Sequence, residues 1–115
     1  MLRGEIWQVD FAPALGSEAN KPRPAVIVSN DRANTTATRL GRGVITVVPV
    51  TSKVTKIYPF QVLLPAATTG LAVDSKAQAE QIRSVATERL GRRIGRLSDT
   101  ELAQLDQALR LHLEL

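Results

Sequence analysis

Short apolar runs set the pattern of the chain, and most of them favour strands. Residues 5–11 alternate apolar and polar side chains and predict a half-buried first strand. Residues 24–29 and 44–50 are rich in β-branched side chains and bounded by turn residues, which favours two buried strands. Residues 60–64 and 92–97 predict two further strands.

Helical signals are clearest at the end of the chain. Ser98 is followed three residues later by Glu101, the spacing of a capping box that satisfies two backbone donors reciprocally. Leu97 and Leu102 are placed for a hydrophobic staple across that cap. A stripe of leucines then recurs at helical spacing, namely Leu102, Leu105, Leu109 and Leu113. The sequence therefore predicts a C-terminal amphipathic helix beginning after Ser98.

Other segments give weaker signals. A cap at residues 29–31 predicts a short helix through Ala37, which Gly41 and Gly43 would end. Residues 87–90 look like one helical turn, and residues 65–71 like a loop. Residues 73–85 fit a strand and a helix equally well, because their alanines favour a helix while their apolar spacing suits either element.

Several short strands closed by one amphipathic helix indicate a mainly β fold with helices, as a small barrel or curled sheet. At 115 residues the chain is long enough for one core and short for two, so a single domain spanning residues 1–115 is expected.

Charge is distributed unevenly along the chain. Residues 98–115 carry −3, which leaves +7 on residues 1–97 of a chain whose formal net charge is +4. Such a basic region suits a polyanionic partner, although an uneven scatter of solvated charges would look the same. The N-terminus lacks an apolar signal core and no apolar run is long enough to span a bilayer, so a cytoplasmic protein without a membrane partner is expected.

The side chains available for chemistry restrict the reaction class. The chain has no cysteine and one histidine, His112, which is expected to be a packing or interface residue of the last helix. Asp74 and Glu80 match no ligand spacing known for a hard cation. What remains is arginine, threonine, lysine and the backbone.

Arg23 and Thr51 stand at strand boundaries beside polar loops. A planar arginine fork and a threonine hydroxyl suit a phosphate. The simpler alternative is that Arg23 caps a turn and Thr51 merely ends a strand. The loop over residues 51–59 combines Lys53, Lys56 and Tyr58, and cations with aromatic faces are how single-stranded nucleic acids are held.

The chain resembles the MazF/PemK (Kid-like) family of endoribonuclease toxins, with the greatest likeness to mycobacterial-type MazF. The pieces that carry the resemblance follow in family order over essentially the whole chain: residues 3–7 (RGEIW), 16–18 (GSE), 23–26 (RPAV), 49–52 (PVTS), 58–60 (YPF) and 80–84 (EQIRS).

The resemblance implies an SH3-like barrel with a C-terminal helix (the MazF/CcdB-type toxin fold), working as a homodimer. It implies a strand through Gln81 and Arg83. It also implies sequence-specific cleavage of single-stranded RNA without a metal or other cofactor, leaving a 2′,3′-cyclic phosphate and a 5′-hydroxyl. Translation and growth would stop, and a MazE-like antitoxin with an acidic tail would restrain the toxin.

The family's catalytic arginine and threonine align with Arg23 and Thr51. Loops 12–22 and 51–59 are expected to read the bases, while Glu18, five residues before Arg23, is left out of the catalytic set. The expected RNA-binding residues are Ser52, Lys53, Lys56, Tyr58, Lys21, Gln81 and Arg83.

Two other functions are compatible with the sequence. One is a noncatalytic toxin of the CcdB type, which shares the barrel but binds DNA gyrase. The other is an RNA-binding regulator that retains RNA without cutting it. The match at Arg23 and Thr51 argues against the gyrase binder, whereas the regulator would be recognised by retained RNA without new 5′-hydroxyl ends.

Overall fold

The computed structural model describes residues 1–13, 15–18 and 22–115. Its strands are β1 (Glu5–Asp10), β2 (Pro22–Ile27), β3 (Val44–Thr51), β4 (Gln61–Leu64), β5 (Ser75–Gln78), β6 (Arg83–Ala86) and β7 (Leu90–Arg96). Its α-helices are α1 (Asp31–Leu40), α2 (Ala66–Thr69) and α3 (Asp99–Leu113), and two 3₁₀ turns cover Ala79–Gln81 and Thr87–Arg89. No helix in the described ranges is both long and apolar enough to cross a membrane.

All strand pairings are antiparallel, and β3 lies at the centre of the sheet. The order is β4-β5-β3-β2-β1-β7, and β6 also pairs with β3. One edge of β3 therefore pairs with β2, while the other pairs with β6 near its start and with β5 near its end. The prediction of a mainly β fold with a C-terminal helix is confirmed.

Alternation along the strands divides the interior into two apolar clusters. Val48 and Val50 belong to one cluster, which α3 covers with Leu105 and Leu109. The preceding β3 residues Ile45 and Val47 belong to a second cluster, to which α1 contributes Ala37. Both faces of β3 are thus buried, which explains why this strand appears in the sequence as an almost continuous β-branched run.

The predicted cap of α3 is confirmed. The Glu101 N–H donates to Ser98 Oγ at 3.1 Å, and the Ser98 N–H donates to Glu101 Oε1 at 2.8 Å. The Thr68 hydroxyl donates to the other carboxylate oxygen of Glu101 at 2.7 Å. Burial raises the pKa of Glu101, but these hydrogen bonds outweigh it and leave the pKa below its ordinary value. Leu105 and Leu109 are buried as predicted, whereas Leu113 is exposed.

One predicted loop contains a helix, because a side chain supplies a hydrogen bond that the sequence pattern does not reveal. The expected loop over residues 65–71 contains α2, whose Ala66 N–H donates to the Asp74 carboxylate at 2.9 Å. The helix predicted through Ala37 extends to Leu40 and ends at Gly41 as predicted, where Gly41 takes the left-handed conformation at φ 66°.

The ambiguous segment 73–85 forms two strands joined by a 3₁₀ turn, so a helix throughout is wrong. The implied strand through Gln81 and Arg83 holds for Arg83 alone, because Gln81 ends the 3₁₀ turn. The reason lies in the pairing with β3. β5 meets Val50 and Thr51, β6 meets residues 44–47, and the turn spans the gap between those two ladders.

Candidate active site

The register of β2 and β3 brings Arg23 and Thr51 together. Ala25 pairs with Pro49 at the end of the β2–β3 ladder, and Arg23 and Thr51 each lie two residues beyond that pair on their own strands. Both side chains line one open pocket of about 260 Å³, together with Ser52. The two residues therefore share a cleft.

Proline shapes the strand that presents Arg23. Pro24 restricts the backbone of the preceding residue to extended conformations, and Arg23 is correspondingly part of β2. The β2–β3 ladder ends at Ala25 and Pro49, beyond which Pro24 cannot donate a ladder hydrogen bond. On its other side Arg23 pairs with Val9 of β1, a fully buried residue. Arg23 is half-buried, and its pairing with β1 fixes the position of its backbone.

The Thr51 hydroxyl has a defined local partner. Its Oγ1 accepts a hydrogen bond from the Lys53 N–H at 3.3 Å. The hydroxyl keeps its own hydrogen, so it can also donate to an anionic oxygen in the pocket.

The loop that follows Thr51 exposes the predicted cations and aromatic side chain. Ser52, Lys53 and Lys56 are exposed, and Tyr58 retains 43% of its accessible surface. The Lys56 ammonium lies 4.7 Å from the centre of the Tyr58 ring, and this ring stacks on Phe60 at 5.4 Å with an interplanar angle of 8°. The loop therefore offers an accessible aromatic edge bordered by positive charge.

Gln81 and Arg83 do not line the Arg23–Thr51 pocket, and both contact the loop after β1 instead. Gln81 Nε2 donates to the Ser17 carbonyl at 3.0 Å, and the Arg83 guanidinium lies 5.5 Å from the Phe11 ring centre. Both side chains therefore contact residues that follow β1. Lys21 lies outside the described residues.

Other candidates from the sequence are engaged elsewhere. His112 is exposed on α3 with its ring 6.2 Å from that of Phe60, outside the pocket. Asp74 accepts from the Ala66 N–H, and Glu80 accepts from Gln61 Nε2 at 2.7 Å. Within the described ranges, no three histidine or carboxylate side chains are grouped as they would be to hold a metal ion.

Sequence reasoning missed Lys76, which lies beside the site. It occupies β5 directly opposite Thr51, and it is only 8% exposed. The sequence does single out Lys76, because it is the only lysine or arginine in the otherwise largely apolar and neutral stretch of residues 57–82. The ambiguity of segment 73–85 concealed which face this residue would occupy.

Comparison with known proteins agrees with this architecture. Residues 2–113 match the family described as PemK-like, MazF-like toxin of type II toxin–antitoxin system. The chain is 78% identical to Endoribonuclease MazF9 of Mycobacterium tuberculosis over 115 residues, covering 100% of this chain and 98% of that protein.

Solved structures give the same result. MazF from Deinococcus radiodurans superposes with a TM-score of 0.82 at 27% identity, covering 100% of this chain and 97% of that one. A MazE–MazF crystal structure from the same organism gives a TM-score of 0.72 at 25% identity, covering 99% and 94%.

The antiparallel sheet with a terminal helix is the fold of the MazF toxins on which this chain superposes. The chain belongs to the PemK-like, MazF-like toxins of type II toxin–antitoxin systems. The predicted family is thereby confirmed, and the predicted enzyme class, endoribonuclease, is the one that the 78% identical relative carries in its name.

Proposed function

We propose that this toxin cleaves single-stranded RNA at specific sequences, without a metal, by attack of the substrate's own 2′-hydroxyl on the adjacent phosphorus. The products are a 2′,3′-cyclic phosphate and a 5′-hydroxyl, and loss of intact RNA stops translation and growth. The observation that carries the proposal is that Arg23 and Thr51 line one cleft, each two residues beyond the last β2–β3 pair. The whole of residues 1–115 acts as one toxin domain in the cytoplasm.

The two side chains have complementary work in this reaction. Negative charge builds on the nonbridging oxygens as phosphorus becomes pentacoordinate, and preorganised donors stabilise that charge most effectively. The Arg23 fork donates two N–H bonds to such oxygens. Thr51 accepts from the Lys53 N–H and directs its own hydrogen toward the same phosphate. The sheet holds both groups before substrate arrives, so little reorganisation is needed at the transition state.

Binding of the strand involves the surfaces on either side of the cleft. Ser52, Lys53, Lys56 and Tyr58 lie on one loop, where ammonium groups meet phosphates and the Tyr58 ring stacks on a base. Gln81 and Arg83 contact the loop after β1, and the predicted base-reading loop over residues 12–22 includes Lys21. We therefore propose that the two loops recognise the bases, while the residues at the two strand ends carry out the cleavage.

An antitoxin restrains the toxin by occupying the same cationic surface. The solved MazE–MazF complex supports a partner of the MazE kind. A disordered acidic segment would suit the basic region of this chain, and its binding would weaken as salt screens the charges.

The active form is a homodimer. Val44, Leu113 and Leu115 are exposed apolar side chains that line one groove of about 650 Å³ between the end of α3 and the start of β3. Contiguous exposed apolar surface of this kind usually marks a contact with another chain. Sedimentation velocity tests the proposal, since Leu113→Glu would then shift the toxin toward monomer.

Incubating the toxin with a short single-stranded RNA in EDTA tests the reaction itself. We expect new 5′-hydroxyl ends and terminal cyclic phosphates, and nearly complete resistance of a substrate whose only deoxyribose is at the cut site. RNA that is bound but uncut would instead indicate an RNA-binding regulator. Gyrase inhibition without cleavage would indicate a CcdB-like poison.

A further inference from the structure

Lys76 is a buried cation beside the proposed catalytic threonine. It faces Thr51 across the β3–β5 ladder, and 8% of its surface is exposed. Burying an ammonium group is costly unless it finds partners inside the protein. What this side chain contacts therefore indicates its role.

The contacts of Lys76 lie in the middle of the loop between β3 and β4. Its Nζ donates to the Lys56 carbonyl at 2.6 Å and lies 5.9 Å from the centre of the Tyr58 ring. A short charge-assisted hydrogen bond and a cation–π contact thus join the sheet to the residues proposed to hold RNA.

A second connection holds the far side of the same loop. Gln61 Oε1 accepts from the Tyr58 N–H at 3.1 Å, and Gln61 Nε2 donates to Glu80 at 2.7 Å. Gln61 belongs to β4 and Glu80 to the 3₁₀ turn after β5, so this connection restrains only the exit of the loop. Lys76 is the one that comes from the strand position adjacent to Thr51.

We infer that Lys76 is a positioning residue for specificity: it holds Lys56 and Tyr58 at a set distance from the Arg23–Thr51 cleft, and so sets which base lies at the cut phosphate. The inference rests on the proposed RNA cleavage. Lys76 lies beneath the loop, and its effect on substrate passes through Lys56 and Tyr58. Loss of its ammonium leaves the catalytic pair in place and lets the loop move.

The test compares Lys76→Met, which keeps the apolar stem, with Lys76→Arg, which restores a cation. Arg32→Met is the matched control, because Arg32 is an exposed cation of α1 that does not line the cleft. For Lys76→Met we expect KM to rise about tenfold, kcat at saturation to stay within about twofold, and cleavage to spread to sites differing by one base. Lys76→Arg should recover most of the selectivity, and Arg32→Met should change none of it.

Limited trypsin digestion provides a readout that does not require RNA. Lys53 and Lys56 are tryptic sites within the loop, so Lys76→Met should speed cleavage there while Arg32→Met does not. If Met destabilises the sheet, Lys76→Gln serves as the second variant, with the same expected split between KM and kcat. Unchanged selectivity and loop proteolysis in a folded Lys76 variant would overturn the inference, as would an equal loss of kcat and kcat/KM. If wild-type toxin does not cleave RNA at all, the proposed function fails, whereas the digestion still decides whether Lys76 orders the loop.

Discussion

The cleft and the loop that adjoins it are built in contrasting ways. Arg23 and Thr51 belong to paired strands, where backbone ladders and buried neighbours such as Val9 hold them. Residues 52–60 have no ladder, and side chains from elsewhere, Lys76 and Gln61, hold the middle and exit of the loop. One region is positioned by backbone and the other by a few buried polar contacts.

The contrast teaches where change is tolerated. Strand-borne groups are held to the small tolerances that transition-state stabilisation requires. A loop held by side chains can alter its shape through one substitution while the strands remain intact. Changes to the cleft should therefore appear in kcat and changes to the loop in KM and selectivity. Three variants test this division, and a fourth changes a residue outside both regions.

The largest effect is expected for Arg23→Ala. Removing the guanidinium leaves developing phosphorane charge without its main donor, so kcat should fall by about 10³-fold. Single-turnover cleavage, quenched at set times, measures the rate of the chemical step directly. Thermal melting checks that the fold is intact. Arg23→Lys should recover only part of the rate, because an ammonium cannot form the bidentate fork. Turnover close to wild type in the Ala variant would remove Arg23 from the mechanism.

Thr51→Val should lower kcat by about 10²-fold with little change in KM, since the shape is kept while the donated hydroxyl is lost. Thr51→Ser is the matched control, because it keeps the hydroxyl and should retain most of the rate. A rise in KM with unchanged kcat would show that Thr51 acts in binding, like the loop, and not in the chemical step.

Tyr58→Ala changes the loop and should therefore act on RNA binding. Losing one stacked aromatic face costs about 1–3 kcal/mol of binding, so KM should rise roughly tenfold or more while kcat is nearly unchanged. Tyr58→Phe keeps the ring and should bind nearly as wild type. Steady-state cleavage over a range of RNA concentrations separates the two constants. A kcat effect as large as that of Thr51→Val would contradict the division between cleft and loop.

The smallest effect is expected for Glu101→Gln, because Glu101 lies at the start of α3, outside both the cleft and the loop over residues 52–60. The variant should lose about 1 kcal/mol of unfolding free energy at pH 7, because its charged cap to Ser98 is weakened. The folded pKa of Glu101 is lowered, so its stabilisation is present above the ordinary carboxyl pKa and disappears as pH falls through the lower folded value. The difference in melting temperature between wild type and variant should shrink below about pH 4. Glu88→Gln is the control, because Glu88 is an exposed carboxylate, and its difference in melting temperature from wild type should not change with pH in this way. The kcat and KM of Glu88→Gln and Glu101→Gln should both match those of wild type.

Local chemistry by itself determined much of the fold. The Ser98 and Glu101 spacing specified the start of α3, and β-branched runs located β2 and β3, since caps and side-chain periodicity act over a few residues. The family resemblance pointed to Arg23 and Thr51, which composition alone left ambiguous.

Only the tertiary structure decided how distant segments meet. Strand pairing brought Arg23 and Thr51 to one pocket and interrupted segment 73–85 with a turn at Gln81. It also placed Lys76 against a loop about 20 positions earlier in the chain. Pairing of that kind depends on which strands lie side by side and at what offset. These are cooperative properties of the whole sheet, and no single stretch of residues contains them.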